Sequence, residues 1–186
     1  MAKLRLFTAT FLATAILATA FIYINRDKPS EFAPKLTRIS DTVFITSQLK
    51  PEAVSLLTRK GIRTLVDIRP DGEASDQATS ADIERASNQQ HVAFHYIPVP
   101  HDAIPDSAVE ALGSVLSKGD MPALLYCRTG RRAVRLLALA EASRPDGPGI
   151  DSILHMADTA GFSADDLRDA MIQRISKRGK TQELKN

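Results

Sequence analysis

The sequence predicts an α/β domain with a central, mostly parallel sheet covered by helices on both faces, preceded by a hydrophobic N-terminal helix. Two observations carry this. From residue 35 onward, short β-branched and apolar runs alternate with helical patterns, and glycine or proline punctuates nearly every junction. Strand and helix in such alternation make a largely parallel sheet covered on both faces. With 186 residues, 44% of them hydrophobic and 25% charged, the chain can bury one real core but is short for two.

The first segment stands apart. Lys3 and Arg5 precede an uncharged run from Leu6 to Ile24, nineteen residues long, within the ~17–25 that cross a bilayer. Residues 1–27 therefore read as a membrane anchor or a secretory signal. Ala18-Thr19-Ala20 resembles a cleavage site, but Phe21 to Ile24 continue the apolar run beyond it, with Tyr23 placed for the interface, which favours an uncleaved anchor. Either reading sends the domain behind it to the periplasm, anchored in the inner membrane or released from it. Residues 28–34 (KPSEFAP) are the linker, residues 35–178 the domain and residues 179–186 a polar tail.

Within the domain, Val43-Phe44-Ile45 is a strand, and residues 51–60 form a helix opened by Pro51 and closed by Gly61. Next come a strand over residues 62–68, a loop, RPDGEASDQ, and a helix from about Thr79 to Gln89. Residues 92–99 make a strand, and a loop through Pro105 leads to a helix over 107–118 with Asp106 as its N-cap. Ala123 to Tyr126 is a short apolar strand, and 131–142 a helix. A Pro/Gly-rich break at 144–149 precedes two final helices.

The net charge is only +2, without a basic run interleaved with aromatics, so nothing points to nucleic acid. Cys127, the lone cysteine, cannot form an internal disulfide. The sequence has neither C-x-x-C nor Cys/His metal spacing, and no metal or organic cofactor is implied. The thiol's position gives it another meaning. Ligands of parallel sheets bind beyond the carboxyl ends of strands, where strand turns to helix, and Cys127 lies at such a junction. Helix N–H groups and the positive dipole end favour an anion there, and the thiolate over the thiol. Arg128, Thr129, Gly130, Arg131 and Arg132 form the candidate anion-binding loop: Gly130 allows successive N–H groups to converge, and Arg132 offers a planar fork to a tetrahedral oxyanion. Arg128, Arg131 and Arg135 read equally well as solvated charges. A leaving-group acid would come from a neighbouring strand end, and Asp102 is the candidate, with Asp106 behind it; His101 and His95 are less favoured. The implied partner is a small anionic substrate.

CRTGRRA, together with GIRTLVDIRPDGE (61–73), ISDTVFITSQLKPE (39–52), HYIPV (95–99) and AGFSADDLR (160–168), resembles the phosphatase-like domain family of beta-lactamase hydrolase-like proteins over roughly residues 35–170. That family is similar to dual-specificity tyrosine phosphatases, which implies a tyrosine-phosphatase-like fold. The resemblance assigns Cys127 as loop nucleophile, Gly130 as loop glycine and Arg132 as anion-binding arginine, and places Arg69 and Asp71 in an Arg-Pro-Asp-Gly loop. Pro70-Asp71-Gly72 is explained by a turn. Two features depart from the tyrosine phosphatase signature: Tyr126 stands where histidine precedes the cysteine, and the arginine comes one residue early. The span from Cys127 to Arg132 equals that of rhodanese-type sulfurtransferases. Three readings result: a cysteine-dependent phosphatase-like hydrolase, a sulfurtransferase carrying a Cys127 persulfide, and a non-catalytic anion-binding domain.

Overall fold

The computed structural model describes residues 33–183, with side chains through residue 178. The expected anchor and most of the linker lie outside these residues. Among the described residues, no helix is long and apolar enough to cross a membrane.

Five strands form one sheet in the order β1 (Thr37–Arg38), β2 (Val43–Thr46), β5 (Ala123–Tyr126), β3 (Thr64–Asp67), β4 (Ala93–Tyr96). β1 runs antiparallel to β2, with Thr37 opposite Ile45, and the other pairings are parallel. The two-residue β1 is too short to leave a hydrophobic pattern in the sequence. It is folded back by Ser40, whose hydroxyl accepts hydrogen bonds from the Thr42 and Val43 N–H groups. β5 lies at the centre, and all four of its residues are buried.

Alternation within β5 divides the core. Leu124 and Tyr126 face the layer of α1 (Ala53–Arg59) and α2 (Ser80–Gln89), where they meet Leu57, Leu65 and Ile83. Leu125 and Cys127 face the opposite layer, built from α3 (Asp106–Lys118), α4 (Arg131–Ser143), α5 (Ile150–Thr159) and α6 (Arg168–Glu183). Each fully buried Leu or Ile contributes on the order of 1.5–3 kcal/mol over its exposed state, so this two-sided strand fixes the register of the loop at its carboxyl end.

Several element ends differ from expectation. α1 is regular only from Ala53, with Pro51 in the preceding turn, where its carbonyl accepts from the Val54 N–H. Thr79 caps α2 by a capping box with Asp82. Asp106 is not the N-cap of α3: the extended Pro105 holds that position, and the Asp106 carboxylate instead accepts from Arg174 of α6. The expected boundary at residue 178 falls inside α6, which continues through Glu183. Arg178 explains why α6 stays docked, since its guanidinium donates to the carbonyls of Glu141 and Arg144 at the C-terminal end of α4 and to that of Pro148 just before α5.

Candidate active site

Cys127 directly follows the central strand and is 1% exposed. Three residues later Gly130 occupies the cap position of α4 with φ +99°, a left-handed conformation that favours glycine. This turn aims the Gly130 N–H at Cys127 Sγ, 3.2 Å away. The space is also closed to a side chain, because a Cβ on Gly130 would sit 3.1 Å from Ile45 Cγ2 and 3.2 Å from Phe162 Cε2. Phe162, from the AGFSADD stretch, thus packs on the loop from behind. Arg135, one turn along α4, belongs to the same clamp and not to the site: its two terminal nitrogens pair with the Asp166 carboxylate at 2.5 and 2.6 Å.

Arg132 is buried, and both of its terminal nitrogens are engaged. Nη1 donates to Glu73 Oε1 at 2.6 Å and to the Val99 carbonyl at 2.8 Å, while Nη2 donates to Glu73 Oε2 at 2.7 Å. Burial opposes the charge on Arg132, but the Glu73 carboxylate outweighs it, and the neighbouring Cys127 adds to the stabilisation of the charged form. The same pairing pulls the Glu73 carboxyl down to about 2, with Arg69 assisting. Arg69, itself buried, donates from Nε to Glu73 Oε2 at 3.0 Å and from Nη1 to Gln48 Oε1 at 2.9 Å. The Gln48 N–H in turn donates to the Arg128 carbonyl at 3.3 Å. Asp71 serves the scaffold, accepting from the N–H and hydroxyl of Ser80 at the start of α2.

The remaining loop residues are solvent-facing. Arg128, Thr129 and Arg131 are exposed, and the Thr129 hydroxyl accepts from the Arg131 N–H at 3.4 Å. Asp102 is exposed too, and among the described residues its carboxylate has no hydrogen-bond or ion-pair partner. The loop after β4 does approach the site, but through the Val99 carbonyl and through His101, whose Nε2 lies 3.5 Å from Glu73 Oε1. Asp106 is withdrawn from the site by Arg174. Glu73, Gln48 and the structural use of Arg69 escaped sequence reasoning. The available signal was that Glu73 comes after a strand parallel to that of Cys127, so both loops leave the same edge of the sheet.

Beneath the loop, Asp67 of β3 and Tyr126 of β5 stand opposite each other in register. Asp67 Oδ1 accepts from the Arg69 N–H at 2.9 Å, whereas Oδ2 faces the Tyr126 phenol without a hydrogen bond of good geometry. Burial raises the Asp67 carboxyl to about 6 and pushes the Tyr126 phenol upward as well. Between about pH 4 and pH 6 the folded protein therefore holds a proton on Asp67 that the unfolded chain, titrating near 3.8, has released. Stability from this group falls as pH rises from about 4 to about 6, and the cost above 6 is on the order of 2–3 kcal/mol. Asp67→Asn keeps an acceptor for Arg69 and removes the charge. Denaturant unfolding at pH 4.5 and 7.5 should show the variant gaining on the wild type at the higher pH, and an equal gap at both would contradict this. Glu73 contributes stability that is lost as pH falls from about 4.5 to about 2, and because it is common to both proteins it cancels from the comparison.

A cavity of about 410 Å³, lined in part by Ile39, Val43, Met121, Leu137 and Met156, includes no residue of the Cys127 loop. It lies at the opposite end of the sheet, where β2 begins.

A family model described as beta-lactamase hydrolase-like protein, phosphatase-like domain, matches residues 35–144. Beta-lactamase hydrolase-like proteins from Xylella fastidiosa (strain Temecula1) and Agrobacterium fabrum are each 26% identical, over 107 and 108 residues, which is 58% of this chain and 25% of theirs. The matching stretch thus spans about a quarter of the length of these curated relatives. Among solved structures, a phosphatase candidate from Neisseria meningitidis aligns with a TM-score of 0.63 at 28% identity, covering 74% of this chain and 96% of its own. The core catalytic domain of a PP-IP phosphatase from S. cerevisiae, in complex with citrate, aligns with a TM-score of 0.51 at 16% identity, covering 69% and 77%. That second likeness is one of fold alone.

Proposed function

Because the chain belongs to the phosphatase-like domain family of beta-lactamase hydrolase-like proteins, we propose that it is a cysteine-dependent hydrolase of phosphate esters, with Cys127 as nucleophile. The observation that carries this reading is that a buried thiol, the Gly130 N–H 3.2 Å from its sulfur and the charged guanidinium of Arg132, held from its far side by Glu73 and Val99, lie together at one turn. A tetrahedral dianion is the ligand that such a set of donors fits.

In the proposed reaction the Cys127 thiolate attacks phosphorus. An S–P bond forms as the ester P–O bond breaks, and the departing alkoxide takes a proton from a carboxylic acid, for which Asp102 is the candidate. Water then attacks the phosphoryl group and gives its proton to the same carboxylate. The S–P bond breaks, releasing phosphate and restoring the thiolate. Asp102 must swing in from solvent to act, and the loop after β4 that carries it already touches Arg132 through Val99. The six-residue span from Cys127 to Arg132 keeps sulfur transfer as a second reading, in which thiosulfate leaves a persulfide on Cys127 and no acid is needed. The purified protein tested on an aryl phosphate and on thiosulfate with cyanide, beside Cys127→Ser, separates the two: hydrolysis of the phosphate alone supports the proposal, and turnover of thiosulfate alone overturns it.

In the same reading residues 1–27 tether the domain to the inner membrane, with the domain on the periplasmic side; the support is the uncharged run Leu6 to Ile24 behind Lys3 and Arg5. A reporter that works only after export, fused behind Asn186, should be active. Activity of a reporter that works only in the cytoplasm would contradict this placement.

A further inference from the structure

Arg132 stands at one end of a continuous run of polar contacts. Glu73 grips its two terminal nitrogens, Arg69 grips Glu73, Gln48 accepts from Arg69, and the Gln48 backbone returns to the carbonyl of Arg128. The run begins and ends on the same loop, at residues 128 and 132, and it draws on the segments after β2 and β3 to do so. Arg69 and Arg132 are both buried, where a lone guanidinium is costly, and Glu73 is the only carboxylate among the described residues that pairs with either of them.

We infer that Glu73 is a positioning residue for the site, holding the Arg132 guanidinium in one orientation beside Cys127 so that the N–H groups not taken by Glu73 and Val99 serve an anion bound there. This rests on the proposed function. The geometry has three consequences. With Nη1 and Nη2 held by Glu73, and Nη1 also by Val99, the guanidinium plane cannot rotate freely. The carboxylate cancels one of the two buried positive charges, leaving a net single charge to meet a substrate. And Arg69, whose side chain bonds Glu73 and Gln48, acts by orienting Glu73.

Glu73→Gln preserves size but replaces one acceptor oxygen with an amide that repels the guanidinium. Misplacing a group by about 1 Å costs on the order of 10² in rate, so kcat on an aryl phosphate should fall by roughly that factor, with Glu73→Asp recovering part of it. The decisive comparison is with Arg132→Ala in the full-length protein. If Glu73 works through Arg132, adding Glu73→Gln to Arg132→Ala should cause no further loss in kcat/KM. A kcat for Glu73→Gln equal to wild type, or the same fractional loss in both backgrounds, would overturn the inference; a shift in melting temperature without a change in kcat would do so too. A second readout does not depend on turnover: inorganic phosphate should slow alkylation of Cys127 in the wild type, and should do so weakly in Glu73→Gln and in Arg132→Ala. Were wild type to hydrolyse no phosphate ester, the proposed function would fail, yet this protection would still test the brace. Equal protection in wild type and Glu73→Gln would sink it, and if Glu73→Gln does not fold, Glu73→Asp carries both readouts.

Discussion

Cys127→Ser is expected to reduce hydrolysis of an aryl phosphate below detection while leaving phosphate binding nearly intact. The substitution changes one atom. A serine hydroxyl does not ionise under conditions where a thiol can, and among the described residues no histidine is hydrogen-bonded to position 127 to serve as its base. The parts proposed to bind the anion are untouched, because the Gly130 N–H can donate to oxygen as it does to sulfur and Arg132 remains clamped by Glu73. Binding of inorganic phosphate measured by calorimetry should therefore persist in the variant. Residual turnover close to wild type would show that chemistry occurs elsewhere; loss of both turnover and binding would show that the thiol is a packing group for the loop.

The second large effect concerns the proton donor. Asp102→Asn should slow alkyl phosphates, whose leaving groups need a proton, by about 10²–10⁴, and affect aryl esters with acidic leaving groups far less. This pattern is required because the alkoxide of an alkyl ester is too basic to leave unaided. Asp102 lies in solvent in the resting structure, on the loop whose Val99 carbonyl and His101 ring meet the Arg132–Glu73 pair. The proposed reaction requires substrate to draw it inward. An unchanged leaving-group dependence in Asp102→Asn would remove that residue from the reaction, and in that case the same comparison on His101→Gln identifies whether the loop supplies the proton at all. In sulfur transfer the departing sulfite is already a stable anion, so Asp102→Asn would then leave thiosulfate turnover unaltered.

The parts of this architecture visible in the sequence are those set by local pattern. The continuous apolar run Ala123 to Tyr126 has to be a two-sided strand, and a glycine three residues beyond Cys127 has to mark a special turn; both are found where the pattern puts them. What the sequence hides is set by strand order. β5 lies between β2 and β3 although it comes last in the chain, and only that arrangement brings Gln48, after β2, and Glu73, after β3, to opposite sides of one loop. The Arg-Pro-Asp-Gly-Glu segment could be read as a turn because a turn explains its first four residues. Its fifth residue carries the contact that matters, and nothing local marks a glutamate whose partner is 59 positions away. Asp106 failed as a cap for a similar reason: the distant Arg174 claims its carboxylate, and Pro105 supplies the extended cap backbone instead.

The central claim is that phosphorus becomes bonded to the Cys127 sulfur during turnover. It is tested most directly by mixing the full-length protein with an aryl phosphate, quenching in acid within the first turnovers and measuring the mass of the peptide that contains Cys127. A phosphoryl group on that peptide, absent from Cys127→Ser and gone after the substrate is consumed, is the predicted result. An unmodified peptide from the phosphate reaction, together with an added sulfur atom on Cys127 after thiosulfate, would contradict it.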